Sequence, residues 1–187
     1  MKQHILPAIR LTIVCIVFFS GIYTLAIWAV AQATPTKGGG ETVLVNGKVV
    51  GYALEGQSFT KDKYFWGRPS AAGYNATAGS GTNKGPSNPD YLKTVQAAID
   101  SFLVHNPGIN KADIPSELVT SSGSGLDPDI SPAAAKVQVK RIAAARGIDE
   151  NKLNALVDAH TEKPFLELLG PSKVNVLKLN VDLDNMK

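Results

Sequence analysis

The chain has 187 residues, a formal net charge of +3 and one cysteine, Cys15. Lys2 and Arg10 supply two of the three net positive charges, so the rest of the chain is near neutral. This balance argues against nucleic acid or an anionic surface as the main partner. The lone cysteine excludes an internal disulfide, and a chain of this length can bury an adequate core without one.

An uncharged and nearly all apolar run extends from Leu11 to Val30. As a helix rising ~1.5 Å per residue, this run is long enough to cover the ~30 Å hydrocarbon core of a bilayer. The alternative is a cleaved signal peptide, because Ala31-Gln32-Ala33 resembles a small-x-small cleavage site. The apolar region of a signal peptide usually has only ~7–15 residues, and Trp28 suits an interfacial anchor. The sequence therefore favours one retained transmembrane helix over the signal peptide.

The charges that flank this run predict its orientation. Lys2 and Arg10 precede it, whereas the first charge after it is Lys37. The positive-inside rule then leaves the N-terminus in the cytoplasm and the larger C-terminal part outside, which in a Gram-negative cell is the periplasm. We therefore divide the chain into a cytoplasmic leader with a transmembrane helix, residues 1–33, and an extracytoplasmic soluble domain, residues 34–187.

Small and hydroxylic residues are grouped within the membrane run. Thr12, Ser20 and Thr24 follow an i, i+4 ladder, and Gly21 lies beside it. Such residues let membrane helices approach closely and form hydrogen bonds, which predicts a packing face for another membrane protein. The alternative is that the hydroxyl groups bond only to the backbone of their own helix.

After a linker over residues 34–40, the segment Thr42–Tyr52 is typical of a hairpin. Asn46-Gly47 is the preferred type I′ turn pair between two β-branched runs. Tyr64-Phe-Trp66 is consistent with either a strand or an apolar anchor. Gly67–Pro89 has no helical or strand period and predicts a long loop.

The rest of the chain alternates helix signals with short apolar runs. Asn88 or Ser87 can cap a helix with Pro89 in its first turn, and Ser131 can cap one with Pro132 in its first turn. A mixed α/β domain is therefore expected. The predicted elements are a helix from Pro89 to before Pro107, a strand Glu117–Ser121, a loop Ser121–Pro132, a helix Pro132–Arg146 ending at Gly147, a helix Asp149–His160 and a strand Val174–Leu183.

The titratable residues do not form a recognisable catalytic motif. His4, His105 and His160 are scattered without metal-ligand spacing, so we expect them to be surface or core residues. Asp127 and Asp129 flank a proline, but the further oxygen ligands of a calcium loop are missing. Turn formation is the better interpretation of this pair. We therefore predict no catalytic site, no metal site and no cofactor of the chain's own.

Two further patterns resemble functional motifs only in outline. Gly79–Gly85 is rich in glycine, but Lys84 precedes Gly85, whereas a phosphate loop needs Gly-Lys followed by Ser or Thr. Gln138–Val157 has the outline of a helix-turn-helix, which would suit a membrane-anchored DNA-binding regulator. Its second helix is acidic, and such a face repels phosphate, so we predict a packed helical hairpin and no nucleic-acid partner.

The long loops are the most unusual part of the soluble domain. A structureless stretch of more than ~15 residues inside a compact domain is usually functional or disordered. Trp66, Arg68 and Tyr74 are typical of contact surfaces, and with Asn75 they are our candidate partner-contact residues. The alternative is a loop that packs onto its own domain as a cover.

These loops also carry a family resemblance. Together with the N-terminal span and the chain length, their motifs resemble the C subunit of the bacterial Kdp potassium-transporting P-type ATPase along the whole chain. Asp129 stands where many members have a histidine. The motifs are Phe65-Trp-Gly-Arg-Pro-Ser-Ala71, Gly73-Tyr-Asn-Ala76, Gly85-Pro-Ser-Asn-Pro-Asp90, residues 113–128 from Asp113-Ile-Pro to Leu126-Asp-Pro128, Ile130-Ser-Pro-Ala-Ala-Ala135, Gln138-Val139 and Arg141-Ile-Ala-Ala-Ala-Arg-Gly147.

The resemblance implies a non-catalytic subunit of an ATP-driven potassium uptake complex in the inner membrane. Its partners would be a channel-like A subunit, an ATPase B subunit and a small F peptide, within membrane lipid. The family is also described as a catalytic chaperone that raises the ATP affinity of the B subunit, and Ser122, Gly123, Ser124 and Gly125 are the candidate nucleotide contacts. The predicted orientation opposes direct contact, because ATP is cytoplasmic. A role in assembly and as a cap over the potassium entrance fits that orientation, and an effect on ATP affinity could still be indirect.

Overall fold

The computed structural model describes residues 2–186, which divide into two compact units with the boundary after Glu41. The first unit contains helix α1 (Lys2–Cys15), a π-helical segment (Ile16–Tyr23) and helix α2 (Thr24–Gln32). They form a continuous helix over Gln3–Gln32 whose most apolar window has a mean hydropathy of 2.3. This helix is long and apolar enough to cross a membrane and contains the predicted span, Leu11–Val30.

The second unit begins with the predicted hairpin, which is confirmed. Strand β1 (Thr42–Val45) pairs antiparallel with β2 (Lys48–Tyr52), with an irregularity between Val43 and Leu44. Asn46 and Gly47 have φ angles of 50° and 77°. A type I′ turn requires positive φ at both central residues, and this pair tolerates that backbone best.

The predicted helices form at their cap signals. Helix α3 (Pro89–His105) begins after Asn88, whose side chain accepts from the amides of Asp90 and Tyr91. Helix α4 (Pro132–Lys136) begins after Ser131, whose hydroxyl accepts from the amide of Ala134. Helix α6 (Glu150–Ala159) is capped by Asp149. These caps satisfy amides that have no partner within the helix.

The prediction of one helix from Pro132 to Arg146 is wrong, because the chain turns at Val137–Gln138 before helix α5 (Val139–Arg146). The backbone N–H of Gln138 donates to the carbonyl of Ala135. The side-chain amide of Gln138 donates to the carbonyl of Ala134 at 3.0 Å. The side chain therefore replaces the regular backbone bond at this point. Helix α5 ends at Gly147 with φ 67°, as predicted.

Two predicted strands are wrong. Residues 117–121 contain the end of a short 3₁₀ turn, Ser116–Leu118, whose local hydrogen bonds replace a strand ladder. The segment Val174–Leu183 is divided between strand β5 (Lys173–Asn175) and helix α7 (Val176–Asn185). The Asn175 side chain ends the strand because it accepts from the amide of Lys178 and caps the helix.

A small sheet completes the domain. Strand β5 lies between β3 (Asp129–Ile130) and β4 (Thr161–Glu162), and both pairs are antiparallel. The sheet and helices enclose one hydrophobic core, so the predicted mixed α/β class is confirmed. Fully buried members of this core are Phe65, Ala134, Ala135, Ile142, Leu153, Val157, Val174, Leu179 and Leu183.

The apolar segment Tyr64–Trp66 is an anchor, not a strand. Buried Asn180 pairs with both backbone groups of Phe65, at 2.9 Å from its N–H and 2.9 Å from its C=O. Gln138 pairs in the same way with both backbone groups of Trp66, at 2.8 and 3.1 Å. Two side-chain amides thus satisfy a buried extended segment that has no neighbouring strand.

Arg141 is buried beside this segment and joins it to the helices. Its guanidinium donates to the carbonyls of Asp62 and Tyr64, to Asn106 Oδ1 and to Gln138 Oε1. Burial lowers the pKa of Arg141 to about 10, against the opposing effect of the Asp62 carboxylate. The guanidinium is therefore still charged at neutral pH and is held mainly by neutral acceptors.

Candidate functional site

A cleft of about 370 Å³ lies between helix α3 and the loop before residue 75. Its aromatic lining comes from Phe59, Trp66 and Tyr74 of the loop and from Phe102 of the helix. His105, at the end of the same helix, also lines the cleft and lies 2.7 Å from the carboxylate of Asp62 through Nδ1. The sequence indicated Trp66 and Tyr74, but it did not indicate that α3 forms the opposite wall.

Trp66 is fixed on several sides. The Arg141 guanidinium lies 4.4 Å from its ring centre, and the His105 ring meets it edge-on at 4.9 Å. Its indole N–H donates to the carbonyl of Lys61 at 3.1 Å. The side-chain amide of Gln138 also pairs with the backbone N–H and C=O of Trp66. Together these contacts hold the indole in one orientation.

Tyr74 has an unusual backbone for a large side chain, with φ 59°. Left-handed backbone costs a residue of this kind about 1–2 kcal/mol. Its amide donates to Ser70 Oγ at 2.9 Å, and its hydroxyl donates to the carbonyl of Arg68 at 2.6 Å. Burial raises the pKa of the Tyr74 hydroxyl, so the phenol stays protonated at neutral pH.

Arg68 and Asn75 lie outside this cleft. Arg68 pairs with Asp127 at 3.0 Å and lines a neighbouring cleft of about 260 Å³. The side chain of exposed Asn75 accepts from the amide and the hydroxyl of Thr77, so it caps a short 3₁₀ turn. The structure therefore brings Trp66 and Tyr74 together, places Arg68 next to them only through its carbonyl, and separates Asn75.

The aspartates near Arg68 take part in turns and ion pairs. Asp127 Oδ1 accepts from the amide of Asp129 at 3.1 Å, and Asp129 pairs with Lys173 at 2.9 Å. Arg68 Nε and Asp129 Oδ1 are buried without a hydrogen-bond partner among residues 2–186. Within that range, no group of three or more His, Cys, Asp or Glu side chains is placed to hold a metal ion.

The Ser122–Gly125 loop packs closely against the rest of the domain. The buried Ser122 hydroxyl accepts from the amide of Gly125 at 3.0 Å, and the carbonyl of Gly125 accepts from Ser70 Oγ at 2.6 Å. Ser70 in turn accepts from Tyr74, so this loop supports the cleft. Gly123 and Ser124 are exposed.

Replacing Gly125 with alanine is expected to destabilise the domain by about 2 kcal/mol, because left-handed backbone and a steric clash both oppose a side chain there. Gly125 has φ 71°, and an added Cβ would lie 2.6 Å from the carbonyl oxygen of Ser80. Gly123→Ala is the matched control, because its Cβ would meet nothing within 4 Å. Urea unfolding midpoints compare the two variants, and equal midpoints would contradict the packing role.

The other histidines and the two motif-like segments do not line the cleft. Exposed His4 belongs to α1, and His160 lies 2.8 Å from Asp182. The glycine-rich segment Gly79–Gly85 packs partly on the Ser122–Gly125 loop, where a Cβ added to Gly81 would lie 2.7 Å from Gly123 O. Gln138–Val157 contains α5 and α6, and α6 buries Leu153 and Val157 in the core.

The predicted packing residues of the membrane helix lie around its π-helical segment. Ser20 and Gly21 belong to that segment, Thr24 follows it directly, and Thr12 precedes it. The Thr24 hydroxyl donates to the carbonyl of Phe19 at 3.2 Å, within its own helix. A partner for this face stays a prediction.

Sequence reasoning missed one conspicuous surface, the loop between β4 and β5. In this loop, here called the apolar tip (residues 164–170), four large side chains are exposed: Phe165 by 69%, Leu166 by 71%, Leu168 by 84% and Leu169 by 63%. The only sequence signal was two apolar pairs after Pro164, Phe165-Leu166 and Leu168-Leu169, separated by Glu167, and short apolar stretches of this kind usually indicate core.

A family model described as "KdpC: K+-transporting ATPase, c chain" matches residues 5–185. The chain belongs to the KdpC family. It is 54% identical over 188 residues to the potassium-transporting ATPase KdpC subunit of Bacteroides fragilis (strain YCH46), covering 99% of this chain and 98% of that protein. It is 51% identical over 185 residues to the corresponding subunit of Flavobacterium johnsoniae, covering 99% of this chain and 100% of that protein.

A more distant similarity is to the KdpC subunit of Caldanaerobacter subterraneus subsp. tengcongensis, at 44% identity over 98% of this chain and 95% of that protein. The resemblance inferred from the loop motifs is therefore confirmed. With one candidate membrane-spanning helix among its described residues, near the N-terminus, this KdpC chain is a single-pass membrane subunit of a potassium-transporting ATPase.

Proposed function

We propose that this KdpC chain is an accessory subunit without a catalytic site of its own, which stabilises assembly of the potassium pump and caps the potassium entrance from outside the cell. Its partners are the channel-like A subunit, the ATPase B subunit and the small F peptide of the Kdp complex. The helix with Thr12, Ser20, Gly21 and Thr24 joins it to them within the inner membrane. A Gly21→Leu variant that recovers the other subunits in full would contradict this membrane contact.

The observation that carries the proposal is that the Ser122–Gly125 loop forms its hydrogen bonds within its own domain. The buried Ser122 hydroxyl accepts from the amide of Gly125, and the Gly125 carbonyl accepts from Ser70 Oγ, which in turn accepts from the amide of Tyr74. The loop thus supports a rigid aromatic cleft, and fixed aromatic side chains are typical of protein contact surfaces. Trp66, Arg68, Tyr74 and Asn75 remain the proposed partner contacts.

The capping role depends on the orientation of the chain. Lys2 and Arg10 before the membrane run favour a cytoplasmic N-terminus, which leaves the second unit outside. Cytoplasmic ATP then has no access to the loops. An effect of this subunit on ATP affinity would be transmitted through packed membrane helices.

A second candidate function is a catalytic chaperone that contacts ATP directly and raises the affinity of the B subunit. Gly123 and Ser124 favour it, because both are exposed and a Cβ added to Gly123 would meet nothing within 4 Å. Ser122 and Gly125 would complete that site. This candidate requires the loop on the cytoplasmic side of the membrane.

Labelling of a Ser124→Cys variant in intact spheroplasts separates the two functions. We expect an impermeant thiol reagent to label it from outside, because Ser124 is exposed and the second unit is predicted to be extracytoplasmic. The unsubstituted chain, whose only cysteine is Cys15 in the membrane run, gives the background. Labelling only after the membrane is opened would contradict the capping role and favour direct contact with ATP.

A further inference from the structure

The apolar tip is held in one shape by its own backbone. Phe165 and Leu169 exchange two hydrogen bonds of 3.0 Å, and the amide of Glu167 donates to the carbonyl of Pro164 at 2.9 Å. Leu166 and Glu167 have φ angles of 54° and 60°, which a residue with a side chain rarely adopts. Backbone of this kind persists only where the surrounding structure holds it, here through these hydrogen bonds, and it clusters at active sites, ligand clamps and switch regions.

Most of the surface of the four apolar side chains of the tip is not covered by the domain that carries them. Single exposed apolar residues are normal, whereas a contiguous apolar patch on a folded domain indicates an interaction surface. The base of the tip is rigid, because β4 and β5 flank it and Val174 of β5 is fully buried. The tip therefore projects from a fixed platform.

The charges of the tip favour a protein over a lipid surface. Lys163 lies 3.9 Å from Glu167, and Lys173 lies 3.5 Å from Glu162 and 2.9 Å from Asp129. Each lysine is thus matched by carboxylates, so no positive charge is left over for anionic headgroups. Glu167 also stands between Leu166 and Leu168, and a carboxylate at that position opposes insertion into hydrocarbon.

We propose that the apolar tip inserts into an apolar groove on another subunit of the potassium-transporting ATPase, with a hydrogen-bond donor or a cation at the rim of the groove for Glu167. Membership of the KdpC family supplies the partner, because such a chain is one subunit of a larger complex. The inference rests on the proposed function in that it names a surface for the assembly role. It adds a contact far along the chain from the loop that carries Trp66 and Tyr74.

Photocrosslinking within the whole pump tests the tip directly. A photoreactive phenylalanine analogue replaces Leu168 in one preparation and Val104 in the other. Val104 is the matched control, because it is 78% exposed on α3 and does not belong to the tip. We expect illumination of membranes to join position 168, but not position 104, to another pump subunit. Adducts only with lipid, only with a second copy of this chain, or no more than at position 104 would each overturn the proposal.

Recovery of the complex is the second measurement. A Leu166→Ser/Leu168→Ser variant is expected to retain the circular dichroism of the parent, because both side chains are exposed. Co-purified pump subunits should fall about tenfold, the loss typical of removing interface anchors. Val104→Ser should leave recovery unchanged. If the unsubstituted chain recovers the pump but the double variant does so equally, the tip inference fails while the proposed function stands. If the unsubstituted chain recovers no other subunit, the proposed function itself fails.

Discussion

Replacing Arg141 with methionine is expected to lower the free energy of unfolding by about 4 kcal/mol, because removal of one partner from a buried charged network leaves the others unpaired. Methionine keeps most of the apolar stem of arginine but none of its donors. Asn106 Oδ1, Gln138 Oε1 and the carbonyls of Asp62 and Tyr64 would then lose a hydrogen bond each. Urea unfolding of the full chain in detergent, followed by near-UV circular dichroism, measures the loss.

Lys140→Met is the matched control for Arg141→Met. Lys140 is the preceding residue of helix α5 and is exposed, so its replacement should change the unfolding free energy by no more than about 0.5 kcal/mol. Arg141→Lys should fall between the two, because an ammonium keeps the charge but has its donors on one nitrogen, whereas the guanidinium reaches four acceptors from three nitrogens. A similar loss in Arg141→Met and Lys140→Met would refute the central role of the guanidinium.

The Asn180→Leu variant is expected to lose about 3 kcal/mol, because it leaves two buried polar groups without a partner. Leucine has nearly the shape of asparagine, so packing changes little, but Phe65 N–H and C=O both lose their hydrogen bonds. The same unfolding measurement applies, and the slope with denaturant should not change.

Asn154→Leu is the comparison variant for Asn180. Its side chain donates at 2.9 Å to the carbonyl of Glu150 in the same helix, near the surface. Water can replace that bond, so the expected loss is about 0.5 kcal/mol or less. If Asn180→Leu is as stable as Asn154→Leu, the pairing of Asn180 with Phe65 contributes little to the fold.

Local signals were sufficient to predict many of the elements. Asn88 and Ser131 begin helices where they were expected, and Gly147 ends one, because a cap depends only on residues within one turn. Val174–Leu183 was misassigned because its apolar residues fit two periods. Val176, Leu179 and Leu183 also follow the helical spacing, and Asn175 is the cap that decides between the two.

The candidate site was predicted less completely, for a physical reason. Trp66 and Tyr74 were identified by residue type, but the wall formed by α3 depends on contacts between distant parts of the chain. The Gln138 and Asn180 side chains accept hydrogen bonds from backbone amides 72 and 115 positions away, and no local sequence pattern shows such pairs. The apolar tip was missed because an apolar run indicates burial in sequence, and only the structure shows that it is exposed.

The pairing of Phe65 with Asn180 also affects the order of events during synthesis. The two residues are 115 positions apart. At about 5–20 residues per second, the Phe65 segment is made roughly 6–23 s before the amide that satisfies it. Throughout that interval an apolar segment with unpaired backbone groups is available to other chains. The nascent domain therefore stays vulnerable to aggregation until its last helix has been synthesised, and truncation near the C-terminus should be tolerated worse than an insertion in the surface loops.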